Sequence, residues 1–412
     1  MDLTLLIYSG SWAPAVGGVE TITRTLAEGL SKRSRPLTGD AIKVTLVTLT
    51  AAGAMNDSLL PFQVVRRPSL WRFIQLCRTA DVVHIAGPAL LPLLLAWLLG
   101  KCVVLEHHNY QSMCPNGLLI HQPDLAICPN HFLAGRYQEC YRCNSETLGR
   151  AGSLRNLLLA FPRRWLAKKV AANVAPSHHM KTRAALPGTH VIYHGVAHGD
   201  AAVESLRPRT AHPVCFAFVG RLVKEKGVSL LLHCAHELAA EGYDFRIKIV
   251  GDGPDRARLE VLAQDLGLKD HTEFLGAVPL RSISDVLSEA IAVVMPSTWE
   301  DVAPMVAIEQ MMQGRLVIAA DVGGLGEIVN GFGLTFPTGD IAALKSCLVQ
   351  TMENQDGSIQ MGRKARTHAL SSFSEERMVE EHLQLYRRII ESRTRPRNDG
   401  PTENHNNLQK KQ

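Results

Sequence analysis

Pro296-Ser297-Thr298-Trp299-Glu300-Asp301-Val302-Ala303-Pro304-Met305-Val306-Ala307-Ile308-Glu309 is the stretch that orients everything else in this chain. The apolar run 291–295 just before it predicts a strand. The residues after Pro304 predict a helix, with Glu309 inside it. In an open α/β sheet, ligands lie beyond the carboxyl ends of the strands, where helix N-termini point unpaired N–H groups outward. Glu300 or Asp301 would then stand at one end of a bound molecule and Glu309 at the other. Carboxylates suit hydroxyl groups and a helix dipole suits phosphate, so the outline is that of a sugar-nucleotide site. Two solvated acids beside an ordinary amphipathic helix fit the same residues, and the stretch alone does not separate the two.

Outward from it, the pattern is strand, loop, helix, repeated in two series. Apolar runs at 3–9, 43–49, 81–85, 102–106, 170–175 and 190–193 predict the first set of strands. Those at 215–220, 245–250, 272–275, 291–295, 316–319 and 333–336 predict the second. Helical segments fall between them, among them 19–32, 70–78, 89–99, 153–169, 178–186, 228–238 and 254–266. Short apolar strands alternating with helices imply parallel sheets covered on both faces. The expectation is therefore α/β: a first domain over 1–196, a polar linker at 197–213 and a second domain over 214–373. Ser374 as N-cap with Glu375 and Glu376 behind it opens a final amphipathic helix to 392. The polar remainder, 393–412, has the composition of a disordered tail.

The 412 residues suit two domains, with 46% hydrophobic and 20% charged residues. The net charge of +5 is uneven: residues 1–200 hold 20 Lys/Arg against 11 Asp/Glu, and the remainder 24 against 28. A basic first half suits phosphates or an anionic membrane surface. Basic and aromatic residues do not interleave as in nucleic-acid grooves, so no nucleic-acid partner is expected. Nine scattered cysteines in a large chain point to a reducing, cytoplasmic setting. The start, Met1-Asp2-Leu3-Thr4, does not read as a signal peptide, and the run 89–99 is too short to span a bilayer and reads as a buried helix.

Four segments carry candidate chemistry. Gly17-Gly18 opens the helix after the first strand and admits a ligand close to the backbone, or simply makes a tight turn. Gly220-Arg221-Leu222-Val223-Lys224-Glu225-Lys226-Gly227 follows the first strand of the second series. Arg221 supplies a planar fork and Lys226 a mobile point charge, a pair suited to a diphosphate, although a solvated basic loop looks the same in sequence. Gly323-Gly324-Leu325-Gly326-Glu327 follows another strand, with Glu327 as a first-turn acid favoured by the dipole. Glu106-His107-His108-Asn109-Tyr110 ends a strand of the first domain, where a histidine can bind a ligand or move a proton. His84 reads as a core or wall residue.

Two further segments stand apart. Cys114, Cys128, Cys140 and Cys143 fall in a loop-like insertion, 110–148, with His121 and His131 as spare ligands. Cys140-Tyr141-Arg142-Cys143 has zinc-knuckle spacing. A structural zinc, disulfides and a chance cluster all fit, whereas a four-thiolate shell leaves no open position for catalysis. The segment 154–169 sets Arg155, Arg163, Arg164, Lys168 and Lys169 among Leu157, Leu158, Phe161 and Trp165, with Pro162 as an expected kink. It suits a helix on an anionic bilayer or one packed with a solvated basic face.

Taken together and in this order, the motifs resemble the retaining glycosyltransferases of family 4. Gly220-Arg221-Leu222 with Lys226-Gly227, Val250-Gly251-Asp252-Gly253-Pro254, Phe274-Leu275-Gly276, Pro296-Ser297, Glu309 and Gly323-Gly324 with Glu327 carry the resemblance, which spans about residues 3–392. It implies the GT-B fold, two Rossmann-like doubly wound domains facing a central cleft. By position, Gly17 and Gly18 resemble the loop facing the donor phosphates, and Arg221 and Lys226 the pair that neutralises the diphosphate. Glu309 resembles the second acid of the family's Glu-x7-Glu motif, which holds the ribose. The first acid, which contacts the sugar, falls by spacing on Asp301, with Glu300 one residue away. His108 matches the family's His-Asp position, with Asn109 replacing the Asp.

The resemblance implies transfer of a sugar from a nucleotide diphosphate to an acceptor hydroxyl with retention, as in polysaccharide or glycolipid assembly. Cations and a helix start at the diphosphate would stabilise the leaving charge. No Asp-x-Asp occurs in the chain, so no catalytic metal cofactor is expected. Another GT-B sugar-nucleotide enzyme, such as an epimerase or phosphorylase, or a non-catalytic scaffold that binds sugar nucleotides, would share these residues. Donor sugar, nucleobase and acceptor (a sugar or a lipid-linked glycan) are not written in the motifs.

Overall fold

The computed structural model describes residues 2–13, 17–33, 41–53, 56–197 and 212–394. The expected disordered tail lies almost wholly outside these residues, as does most of the expected linker.

The first domain is built on β1 (Leu3–Ser9), β2 (Ile42–Thr48), β3 (Gln63–Arg66), β4 (Val82–Ala86) and β5 (Cys102–Glu106). A two-stranded hairpin follows, β6 (Ile120–His121) and β7 (Ala126–Ile127), then β8 (Ala172–Ala175) and β9 (Thr189–Val191). Its sheet has the order β3-β2-β1-β4-β5-β8-β9, with every pair parallel. Helices α1 (Gly18–Lys32), α2 (Leu70–Thr79), α3 (Leu90–Leu98), α4 (Tyr137–Ala167) and α5 (His178–Ala184) connect the strands. β1, β4 and β5 are buried on both faces, as their near-continuous apolar sequences require.

The second domain repeats the plan. Strands β10 (Val214–Val219), β11 (Phe245–Val250), β12 (Thr272–Gly276), β13 (Ala290–Met295), β14 (Leu316–Ala320) and β15 (Leu334–Phe336) pair in the order β12-β11-β10-β13-β14-β15, all parallel. The helices are α6 (Val228–Ala240), α7 (Arg256–Asp265), α8 (Leu280–Val286), α9 (Met305–Met312), α10 (Gly323–Val329), α11 (Ile341–Glu353) and α12 (Gln355–Ser372). Each sheet reverses its strand order beside its first strand, between β1 and β4 and between β10 and β13. Ligands bind at such switch points. The doubly wound GT-B architecture read from the sequence is the observed one.

The last helix, α13 (Glu375–Thr394), returns to the first domain. The chain crosses where Val196 N–H donates to Phe373 O at 2.9 Å. Met378, Val379, Leu383, Leu385 and Tyr386 then enter the core beneath β1 and α1. Full burial of such a side chain is worth about 1.5–3 kcal/mol, so packing rather than propensity holds this helix.

Four local expectations change. β3 was not legible because it is a four-residue edge strand without an apolar run. α4 starts well before the expected helix, so Cys140 and Cys143 are helical rather than in a loop. Its break falls at Gly149, with φ 68° and ψ 168°, and the helix runs on through Pro162. The apolar α3 buries Leu93 and Ala96 but leaves Leu91 and Leu98 exposed, so it is a half-covered surface helix.

Candidate functional site

Both switch points open onto one cavity of about 370 Å³. From the first domain, Gly17 and Gly18 reach it at the start of α1. From the second come Gly220 and Arg221 after β10, then Lys226, then Ser297, Trp299 and Asp301 after β13, and Pro304, Met305 and Val306 at the start of α9. Three of the segments singled out in sequence, at 17–18, 220–227 and 296–309, thus converge, although they lie as far apart as residues 17 and 306, whereas the loop at 323–327 does not line the cavity.

Backbone contacts set the loops. Thr298 N–H donates to Glu225 O at 3.0 Å and Ser297 Oγ–H to the same oxygen at 3.2 Å, tying the Pro-Ser turn to the Lys226 turn. Gly227 makes that approach possible: it has φ 69°, and a Cβ there would sit 1.9 Å from Pro296 O. Lys226 Nζ donates to Asp301 Oδ2 at 2.5 Å and lies 5.4 Å from the Trp299 ring centroid. The pair is largely buried, so each charge is held in place by the other. Arg221 is exposed at the rim, and no ion pair holds it among the described residues. The cavity therefore offers one fixed and one mobile cation beside the free N–H groups of α9.

Glu300 and Asp301, adjacent in sequence, point apart. Asp301 lines the cavity, whereas Glu300 takes Arg183 Nη2 at 2.9 Å and His179 Nε2 at 3.4 Å, both from the first domain. Glu309 lies in α9, half-buried, and burial raises its carboxyl above the ordinary range. It is not among the residues that line the cavity. His108 is not either. Its ring is 3% exposed, with Nε2 3.5 Å from Glu106 Oε2, and it packs on His194 with centroids 5.3 Å apart. Asn109 closes a local turn by accepting from Gln111 N–H. His84, read as a core histidine, is buried and bonded to Glu106 at 2.9 Å.

Glu327 departs from the sequence expectation. It is not a first-turn acid of its own helix. It crosses to the first domain and accepts from the N–H groups of His178 and His179 at 2.8 and 2.7 Å, and from Tyr193 O–H at 2.6 Å. Tyr110 O–H to Glu300 O (3.0 Å), Ser177 O–H to Val302 O (2.8 Å) and Trp299 Nε1–H to Leu118 O add to this seam. Sequence reasoning gave no role to Tyr110, which it met only as the end of the segment 106–110, and missed Ser177, Arg183 and Tyr193, because each works only through the other domain.

Cys114, Cys128, Cys140 and Cys143 are all buried free thiols. Burial, then the other three thiols, push Cys140 up to about 12. They are near neighbours, but not at ion-binding distance. Among the described residues, two groups of three His, Cys, Asp or Glu side chains bring their ligand atoms within 4.8 Å of one another, and neither contains a cysteine. His121 is taken by Asp124 at 2.8 Å. On α4, Leu154, Leu158, Phe161 and Trp165 are exposed, with Arg155, Lys168 and Lys169 exposed beside them. Arg164 turns inward to the carbonyls of Ala184 and Ala185, so it leaves the basic face expected of it. Among the described residues no helix is long and apolar enough to cross a membrane.

Residues 207–368 match the family model described as glycosyl transferases group 1. Over 197 residues the chain is 31% identical to the 2-deoxystreptamine glucosyltransferase of Streptomyces kanamyceticus, covering 46% of this chain and 50% of that one. Over 218 residues it is 31% identical to the D-inositol 3-phosphate glycosyltransferase of Corynebacterium urealyticum, covering 50% of each. The chain spans about half the length of these curated relatives. Anabaena Alr3699/HepE, solved with UDP-glucose, superposes with a TM-score of 0.69 at 18% identity, over 94% of this chain and 100% of that one. Residues 207–368 are therefore similar to group 1 glycosyl transferases, within a chain whose described residues have the GT-B fold.

Proposed function

We propose that this protein transfers a sugar from a nucleotide diphosphate sugar to an acceptor hydroxyl, with retention at the anomeric carbon. The observation that carries the proposal is the convergence of Arg221, Lys226 and the start of α9 on one cavity at both switch points. The barrier to such a transfer lies in the charge that builds on the departing diphosphate. Two cations and a helix start aimed at that place stabilise it without reorganising. Gly17 and Gly18 let the first domain's backbone close on the same phosphates. Asp301, fixed by Lys226, is assigned to the sugar hydroxyls, and Glu300 to the domain seam. Glu309 is assigned to the ribose. His108 is assigned a positioning role behind the cleft, since it does not reach the cavity wall. Retention is drawn from the resemblance to family 4 enzymes.

A lipid-linked or membrane-proximal acceptor fits the exposed apolar stripe of α4 and its flanking cations. Binding to anionic liposomes that weakens with salt would support this, and binding indifferent to lipid charge and salt would remove it. For the cysteine segment the proposal is a structural zinc on Cys114, Cys128, Cys140 and Cys143, which requires the thiols to close up from their present spacing.

The test is thermal shift across UDP-, GDP- and ADP-sugars without metal, UDP-sugars first because HepE was solved with one. Selective stabilisation by one series, lost in Arg221→Ala, supports a donor site here. Release of nucleotide diphosphate only when acceptor is supplied then distinguishes transfer from the epimerase, phosphorylase and scaffold alternatives. No stabilisation by any sugar nucleotide would overturn the assignment. Turnover is expected without added Mg²⁺ or Mn²⁺, and a strict requirement for either would contradict the cation assignment.

A further inference from the structure

Beneath the cleft, the first domain buries a cluster of one carboxylate and four imidazoles, none of which lines the donor cavity. Glu106, at the end of β5, is 1% exposed. Four imidazoles surround its carboxylate. His84 Nε2 lies 2.9 Å and His108 Nε2 3.5 Å from Oε2, and His194 Nε2 and His382 Nε2 each lie 3.9 Å from Oε1. They come from β4, the loop after β5, the segment after β9 and α13, so only the folded chain assembles them.

Hydrogen bonding accounts for one imidazole and leaves three unsatisfied. Tyr386 O–H donates to His84 Nδ1 at 2.9 Å, which leaves His84 Nε2–H to donate to Glu106. His382 donates Nδ1–H to Met378 O at 2.9 Å. That tautomer turns a bare Nε2 lone pair toward a carboxylate oxygen that is itself without a donor. His194 makes no hydrogen bond at either ring nitrogen, His108 has only the long 3.5 Å approach to Glu106, and all these atoms are cut off from solvent. Buried polar atoms are rarely left in this state, because each costs its full desolvation penalty. At His382 a lone pair thus faces a carboxylate oxygen, an arrangement that a cation between them relieves.

Glu106, His108 and His194 already hold their ligand atoms within 4.8 Å of one another. A zinc-like ion with bonds of about 2.0–2.2 Å needs its donors somewhat closer than that, a change within reach of small side-chain rotations. The His382 Nδ1–H to carbonyl bond is the outer-shell arrangement that fixes a metal-binding tautomer. Imidazole with a single carboxylate suits late first-row divalent ions and is a poor set for Mg²⁺ or Ca²⁺.

We propose that Glu106, His108 and His194, with His382 as fourth donor, form a buried site for a divalent transition-metal ion of the zinc class. Its place is structural. It pins α13 and the segment after β9 to the end of β5, beneath the cleft. None of its donors lines the donor cavity, so the site stands apart from the diphosphate, and an ion there would fix His108 in its positioning role.

The test is cobalt substitution in the full-length protein, alongside metal analysis of the protein as purified from zinc-supplemented culture. One Co²⁺ per chain with visible ligand-field bands and no thiolate charge transfer is expected from this site, and a second equivalent with the near-ultraviolet thiolate band from the cysteines if they bind as proposed. His194→Gln and, separately, His382→Gln should each weaken binding at least tenfold. If the cysteines also bind, the variants should lose one equivalent and keep the thiolate band. Absence of bound metal in the wild-type protein, or a spectrum arising from thiolates alone, would overturn the site. So would unchanged affinity in both variants. Donor binding is read separately by thermal shift, so failure of one proposal does not disguise failure of the other.

Discussion

Arg221 and Lys226 bring the same charge to the cavity in different states. Lys226 is already committed to Asp301, whereas Arg221 is free at the rim among the described residues. Arg221→Ala should cost turnover on the order of 10²-fold through lost stabilisation of the leaving diphosphate. Lys226→Ala should cost at least as much, because it also leaves the largely buried Asp301 without its partner. Steady-state rates with the donor identified by thermal shift would check both, and near wild-type turnover in both would remove them from the site. Glu309 gives a test of opposite sign. Burial raises its carboxyl above the ordinary carboxylate range. A raised carboxyl contributes stability that is complete below the unfolded pKa and is lost as pH rises through the folded one. At pH 7 the ionised side chain therefore works against the fold. Glu309→Gln should unfold at an equal or higher temperature than wild type at pH 7, with the gap closing as pH falls below about 4.5, and should lose stabilisation by donor. A variant that melts lower at pH 7 would show that Glu309 is held by interactions stronger than its desolvation.

At the scale of elements, the acid loop after β13 is shaped by the start of α10. Gly324 N–H donates to Asp301 O at 2.7 Å, and a Cβ on Gly324 would fall 2.3 Å from Val302 O. The obstacle is backbone, so the loop itself must shift. Gly324→Ala should lower stability by about 1–3 kcal/mol, as overpacking does. It should also reduce donor-dependent stabilisation, because Asp301 moves with the loop. Urea unfolding and thermal shift with donor measure the two effects. A loss of stability with donor response intact would mean that the loop relaxes without moving Asp301.

For the molecule as a whole, Glu327 is a charged bridge between the two domains. Its carboxylate caps the first N–H groups of α5 and takes the Tyr193 hydroxyl, all from the other domain. Glu327→Ala should leave each domain folded, seen as unchanged far-ultraviolet circular dichroism. It should enlarge the radius of gyration in small-angle scattering and raise the donor KM several-fold. An unchanged scattering profile would assign closure to the Tyr110, Ser177 and Arg183 contacts instead.

The two-domain α/β architecture and the loops that meet at the cavity were legible in the chain, because they depend on local pattern. Apolar strands buried on both faces, glycines at helix starts and cations after β10 declare themselves within a few residues. The orientation of Glu300 against Asp301 was not legible. Neighbours in sequence separate only when Arg183 and Lys226 arrive from different parts of the fold. Nor was the reach of Glu327, or the helical state of Cys140 and Cys143. The burial of His108 among Glu106, His194 and His382 came from β5, the segment after β9 and a helix more than two hundred residues downstream. Sequence alone determined which backbone elements form and which loops carry charge. The tertiary structure decided which side chain each charge meets, because pairing energies depend on distances across domains that no local spacing encodes.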